Sequence, residues 1–241
     1  MNYCFVDAQK DTNSKLSNLV QKKHLTPIDT LKIEYNNYKQ ARQQIKDSKN
    51  LLKNQNTALF IENIKIDDQL PQFIKETKKE IDIIIAQGGL NKINRFLLEK
   101  TSIDYIADPH SSKDKLKKDF IHHFNSGINH VLATQAKEKK IGLFISLHQF
   151  SQKKKNLAKD IGRIQQNIRL WRKYESPILT DYIIEKPSQI KTEFDKKHIL
   201  LFLSATPQQA HKSSIQLQDK ITKNKEKNSK NYITEGLYII D

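Results

Sequence analysis

Residues 81–150 limit the possible folds more than any other part of the chain. Two short apolar runs, IDIIIAQ near 81–87 and IDYIAD near 103–108, enclose Leu90–Lys100, whose apolar residues recur at helical spacing. A second helical segment, Asn129–Lys139, leads into a third run, IGLFISL near 141–147. Runs this β-branched are buried on both faces. Helical crossovers between them are what a parallel sheet requires. The order strand, helix, strand, helix, strand predicts an α/β fold.

The same rhythm extends in both directions. Further strands are expected near 3–8, 29–34, 57–64, 177–182 and 198–204, which makes eight. Helices are expected around Leu16–Val20, 37–53, Leu70–Ile74, 157–171 and 188–194. A short one is expected around Lys115–Phe124. Thr206-Pro207-Gln208-Gln209 reads as a capped helix start, with Thr as N-cap and Pro at the first helical position. Eight strand–helix units in 241 residues predict a single TIM-like (β/α) barrel with parallel strands and outer helices. An open doubly wound sheet is the alternative. Neither Gly-x-Gly-x-x-Gly nor a Walker motif is present to support nucleotide binding. The barrel is expected over 1–223. A lysine-rich tail is expected over 224–241, its final YITEGLYIID docking or adding a short strand.

The chain carries 42 Lys+Arg against 27 Asp+Glu, a formal net charge of +15. Such a surplus favours a polyanionic partner, either nucleic acid or an acidic membrane surface. Lys, Asn and Ile are all abundant, as an AT-rich genome would produce, so charge shares this explanation with composition. The single cysteine, Cys4, excludes an internal disulfide framework and a cysteine metal site. It is expected as a small core residue of the first strand. No segment approaches about 18 continuous apolar residues, and the N-terminus lacks an apolar signal region. A soluble, cytoplasmic protein is expected.

In parallel barrels the functional groups gather where the strands end. Those ends carry Asp7, Glu34, Glu62, Gln87, Asp108 with His110, His148, Asp181 and Ser204. A metal-dependent phosphoesterase would draw its ligands from Asp7, Glu62, Asp108, His110 and His148 and activate water for hydrolysis. The spacing is poor for this, since no His-x-His pair follows the first strand, and no metal site is expected. His122 and His123 are adjacent on a helix and cannot face one ion. Asn129-His130 reads as a helix cap.

The basic segment 151–175 is the stronger signal. It holds Lys153, Lys154, Lys155, Lys159, Arg163, Arg169, Arg172 and Lys173 against only Asp160 and Glu175. At about 100° per residue, Leu157, Ile161, Ile164, Ile168 and Trp171 share one arc facing the core. Lys159, Arg163, Gln166 and Lys173 fall opposite, with Arg169 and Arg172 beside them. A helix anchored on one face and basic on the other can track a phosphate backbone, and an Arg fork can hold two phosphate oxygens. Expected RNA contacts are Lys159, Arg163, Arg169, Arg172 and Lys173, with Arg95 and Lys113 as further candidates. Leu170 lies on the polar side and points to a protein contact.

The wording of the central passage is also distinctive. INRFLLEKTSIDYIADPH, SGINHVLATQAKEKKIGLFISL, and Arg163 followed by NIRLWRKYESP stand in this order over roughly 100 residues, from about Ile81 to Pro177. Together they resemble the ribonuclease P protein component 3 family, the thirty-kilodalton subunit of archaeal and eukaryotic ribonuclease P. Two places depart from the family pattern. Thr180-Asp181-Tyr182 stands where a Ser-Gly-Ala type turn is usual, and Ala-Asp-Pro-His ends the strand at 103–108 where Ser-His-Pro is usual.

The resemblance implies a barrel of the PHP phosphoesterase type with its metal ligands largely lost. It implies no catalytic residue and no cofactor in this chain, with cleavage performed by the RNA subunit and its Mg²⁺. The implied partners are the catalytic RNA, precursor tRNA, protein component 2 and the other protein subunits of the holoenzyme, without a membrane. The implied function is removal of 5′ leaders from precursor tRNA.

Overall fold

The computed structural model describes residues 2–11, 14–111, 119, 124–151, 157–229, 232–234 and 237–238. Eight strands run parallel: β1 (Tyr3–Asp7), β2 (Thr26–Glu34), β3 (Thr57–Glu62), β4 (Ile83–Gln87), β5 (Tyr105–Ala107), β6 (Gly142–Ser146), β7 (Ile178–Asp181) and β8 (Ile183–Ile184). Their order is β7-β6-β5-β4-β3-β2-β1-β8. The two edges of this sheet, β7 and β8, are consecutive in the chain and separated only by Tyr182. One extended run therefore pairs with β6 through its first half and with β1 through its second, so the sheet closes into a barrel of seven positions.

The helices are α1 (Lys15–Lys22), α2 (Tyr38–Ser48), α3 (Leu70–Thr77), α4 (Asn91–Lys100), α5 (His130–Glu138), α6 (His148–Ser151), α7 (Leu157–Lys173), α8 (Glu193–Phe202) and α9 (Pro207–Lys227). The run HILLFLS at 198–204, expected as an eighth strand, lies mostly in α8. Thr192 caps that helix, and Asp195 returns the bond to the cap, forming a capping box. Leu200 and Leu203 are buried whereas Leu201 and Phe202 face solvent, a period of three and not of two. Residues expected as a helix at 188–194 form a short 3₁₀ turn, Pro187–Gln189, before α8 begins. Thr206 and Asn129 cap α9 and α5 as expected, accepting from the backbone N–H of Gln209 and Leu132. The helix expected around Lys115–Phe124 falls largely outside the described residues.

Period-two alternation divides the strands between two apolar layers. Phe5, Ile28, Phe60, Ile83, Ile85, Tyr105, Phe144 and Leu179 fill the lumen. Leu31, Leu59, Ile61, Ile84, Ile106, Leu143 and Ile145 face the outer helices. Phe144 meets Phe5 edge-on, with ring centroids 5.6 Å apart. Gly142 is required beside this layer, because a Cβ there would stand 2.4 Å from the Tyr105 ring.

Helix α9 closes the end of the barrel where the strands begin. Its Leu217 and Ile221 join the lumen core. Lys220 Nζ donates to Asp104 O at 2.9 Å, Asn224 Nδ2 to Asp82 O at 2.7 Å, and Lys225 Nζ to Gln55 O at 2.8 Å. The helix continues past the expected tail boundary at 223/224, and Tyr232–Thr234 pairs antiparallel with Leu237–Tyr238.

The seam between β7/β8 and β1 is clamped from α8. Lys196 Nζ donates to Asp181 Oδ2 at 2.6 Å, to Tyr3 O at 2.7 Å and to Cys4 Sγ at 3.3 Å, and all four residues are buried. Cys4 is a core residue of β1, as expected, and burial pushes its thiol up to about 12.

Candidate nucleic-acid interface

The strand-end rim holds the residues of the metal-enzyme reading, and their arrangement does not suit a metal. Lys32 on β2 donates to Asp7 Oδ2 at 3.0 Å and also pairs with Glu185. An ammonium of the chain itself thus stands between these carboxylates. It holds Glu185 below the ordinary carboxylate range. Burial pushes Glu62 up, Lys32 opposing, and the charges of Glu34, Asp7 and Glu185 add to the rise.

The other candidate ligands are engaged elsewhere. Asp108 Oδ1 accepts from Ser146 N at 3.0 Å and Gln149 Nε2 at 3.2 Å. His110 Nε2 meets Gln149 Oε1 at 2.7 Å, and His148 Nε2 meets Ile183 O at 3.0 Å. Asp181 belongs to the seam, and Ser204 follows a helix, not a strand. Among the described residues no group of three or more His, Cys, Asp or Glu could hold a metal ion.

Helix α7 is built as its sequence pattern predicts on the inner side. Ile164, Ile168 and Trp171 are buried, with Leu157 and Ile161 half-buried at its start. Burying these side chains fixes the helix against β6 and α5 and leaves Lys159, Arg169, Arg172 and Lys173 exposed. Lys173 Nζ lies 5.7 Å from the centroid of the Tyr174 ring.

Arg163 is the exception. The helical wheel places it with the solvent-facing cations, but it is 3% exposed. Its Nη2 donates to both Asp119 oxygens at 2.9 Å, and its Nη1 pairs with Asp160 at 3.4 Å. A guanidinium bound by two carboxylates inside the fold has no fork left for phosphate, so Arg163 does not suit the role of RNA contact expected of it. Lys113, His122, His123 and Lys153–Lys155 lie outside the described residues.

Asp119 is held below the ordinary carboxylate range. Burial works against this, but the Asn125 N–H and Arg163 outweigh it. Asp119→Asn is expected to cost about 2–3 kcal/mol of stability, because it leaves a buried guanidinium with Asp160 as its remaining carboxylate. The pair's contribution is complete above the ordinary carboxylate pKa and is lost as pH falls through the depressed value. Urea unfolding at pH 7 and pH 3 measures both statements. Equal midpoints for the variant and the parent at pH 7 would refute them.

Sequence reasoning missed two residues that shape this region. Asn94 is buried on α4. Its Oδ1 accepts from Gly89 N at 2.8 Å, and its Nδ2 donates to Pro109 O at 2.8 Å and Gly127 O at 3.0 Å. It ties the β4–α4 connection to both ends of the β5–α5 connection in a way no spacing reveals. Asn167 of α7 adds a bond to Ser126 O at 3.1 Å. The second is Lys32, whose signal was legible: it continues the inward series Ile28, Thr30 toward the end of β2.

Beside the pinned segment 124–129 lies a groove of about 640 Å³ between α4, α5 and α7. Phe124, Val131 and Leu170 line it, with Arg95 and His130. Arg95 is exposed and paired with Glu99 at 2.8 Å. Leu170, expected as a protein contact, therefore sits in an apolar wall and is not isolated.

No family model matches the chain. Its relatives include ribonuclease P protein component 3 of Methanocaldococcus jannaschii, 27% identical over 133 residues, covering 55% of this chain and 53% of that protein. The same protein of Methanococcus maripaludis is 23% identical over 116 residues, covering 48% and 46%. That of Methanococcoides burtonii is 23% identical over 185 residues, covering 72% and 67%. The chain spans about half the length of the first two relatives. A chain of the cryo-EM structure of archaeal ribonuclease P with mature tRNA matches with a TM-score of 0.70 at 20% identity, over 100% of this chain and 97% of that one. That likeness shows the fold.

Proposed function

We propose that this chain, a homologue of ribonuclease P protein component 3, is a protein subunit of a ribonuclease P that removes 5′ leaders from precursor tRNA. The observation that supports this most is the run of relatives bearing that one name, each matching between 48% and 72% of the chain. The structural likeness, which spans the barrel from end to end, is in keeping with it. The chain contributes positive charge and a rigid scaffold, and the reaction's metal ions are held on RNA. Lys159, Arg169, Arg172 and Lys173 contact phosphates, and Arg95 stands at the edge of the α4–α5–α7 groove. Protein component 2 is the expected protein partner, with the cytoplasm as the compartment.

An independent hydrolase is the less supported reading, since Lys32 pairs with Asp7, and Asp108 accepts from Ser146 N and Gln149 Nε2. Reconstitution of precursor-tRNA cleavage from the catalytic RNA and its protein set, with and without this chain, tests the proposal. At moderate Mg²⁺ the rate is expected to fall at least about tenfold when the chain is omitted, about 1.4 kcal/mol of barrier. An unchanged rate, or phosphoester hydrolysis by the purified chain alone, would overturn it.

A further inference from the structure

We propose that the end of the barrel where the strands begin carries a second phosphate-binding site, a groove between α9 and the connections entering β5, β6 and β7, and that it takes the phosphodiester backbone of RNA. The choice of RNA rests on the function proposed above, but the groove is separate from the exposed face of α7. Its volume is about 370 Å³, within the range of ligand-sized clefts. Seven lysines line it, among them Lys140, Lys220, Lys223 and Lys227, against three carboxylates, Asp104, Glu175 and Asp219. Asp104 is already engaged, accepting from Ile84 N at 2.9 Å, Lys78 Nζ at 3.0 Å and Asn224 Nδ2 at 3.2 Å.

A solvated protein surface mixes charges of both signs. Ammonium groups gathered around one concavity repel each other, a cost to the folded chain that a bound polyanion removes. Lys220 sits at the inner wall of the groove. Its Nζ is fixed by the carbonyls of Asp104 and Lys140 and lies 4.9 Å from the Tyr105 ring centroid. Burial pulls its pKa down to about 8, and Lys78, Lys227 and Lys140 add to the fall against the attraction of Asp104. Lys139 is also pulled down, by burial and by Lys100.

The groove and the basic face of α7 meet at Tyr174 and Glu175, which line the groove directly after Arg172 and Lys173. A nucleic-acid strand following α7 toward its C-terminal end is thereby led into the groove. Lys137, Lys140, Lys223 and Lys227 are exposed and can receive it.

The test uses the full chain, with Lys140, Lys223 and Lys227 changed together to Glu and, as a milder set, to Gln. Tripolyphosphate is titrated against lysine side-chain NMR signals, and RNA affinity is measured against salt. In the parent, tripolyphosphate is expected to shift the Lys140, Lys220 and Lys223 signals. The Glu set is expected to abolish the shift of Lys220, the one of these signals it retains, lower RNA affinity at least about tenfold and reduce the salt slope by about 2–3. A folded Glu or Gln set with unchanged tripolyphosphate binding and RNA affinity overturns the site. Loss of tripolyphosphate binding alone, with RNA affinity intact, overturns the RNA assignment and leaves a site for a free polyphosphate anion. Charge reversal on α7 is measured alongside. If it weakens RNA binding and the groove set does not, the groove fails while the function proposed above stands; if neither weakens it, both surfaces fail as RNA contacts.

Discussion

Replacing Lys196 by Met is expected to destabilise the folded chain by about 3–5 kcal/mol at pH 7, the cost of leaving one partner of a buried ion pair uncompensated. Asp181 is 1% exposed and has its carboxylate 2.6 Å from Lys196 Nζ. Burial pushes the Asp181 carboxyl up, and Lys196 is the charge that restrains it. Without the ammonium, Asp181 rises further above the value it has when unfolded. An acid whose folded pKa is raised gives most stability when protonated, and that stability is lost as pH increases toward the folded pKa. The variant should therefore approach the parent near pH 4 and fall furthest below it near pH 8.

In a chain of this size the loss at neutral pH corresponds to a melting temperature lower by roughly 10 °C. Adding Asp181→Leu removes the stranded charge and should recover much of the difference. Thermal melts across pH measure all three. A Lys196→Met variant melting within about 2 °C of the parent at pH 8 would show that the clamp does not hold the seam.

Reversing charge at Arg169, Arg172 and Lys173 together is expected to weaken RNA binding about 10²–10³-fold at physiological salt. The slope of log affinity against log salt should fall by about 2–3, close to one for each phosphate that is no longer neutralised. Melting temperature should stay within about 2 °C, because the three side chains are exposed and the helix is held by Ile164, Ile168 and Trp171 on its other face. The two readouts separate a phosphate-binding role from a packing defect. Filter binding at several salt concentrations is sufficient. An unchanged slope would remove α7 from the interface.

The fold was legible wherever a strand announced itself on both faces. The runs at 57–64, 81–87 and 141–147 became β3, β4 and β6 with ends shifted by a residue or two. The run at 198–204 misled because HILLFLS is as apolar as a strand. The decisive signal lay upstream, in Thr192 and Asp195, whose reciprocal bonds start a helix that then runs through Phe202. The inner face of α7 was legible for the same local reason.

The position of Arg163 was not. Its partner Asp119 lies 44 residues away, and a helical wheel knows only the angles on one helix. Asn94 was also beyond reach, since its role comes from four carbonyl and amide groups brought together by the barrel. Lys32 was readable in part: alternation along β2 turns it inward, but only the assembled rim shows that Asp7 and Glu185 meet it there.

The closing run of the barrel also sets an order of events for the folding chain. β1 finds β2 after a short crossover, but its other edge pairs only with Ile183 and Ile184, far along the chain. Loop-closure entropy and contact order both delay that pairing relative to those of neighbouring strands. During synthesis β1 through β6 can assemble as an open, curling sheet with bare edges on both sides, a species prone to pair with other chains. The two-residue pairing that ends this exposure is the shortest in the sheet. The nascent chain thus depends on the last strand of its barrel, and on the lysine that follows in α8, to stop being an adhesive surface.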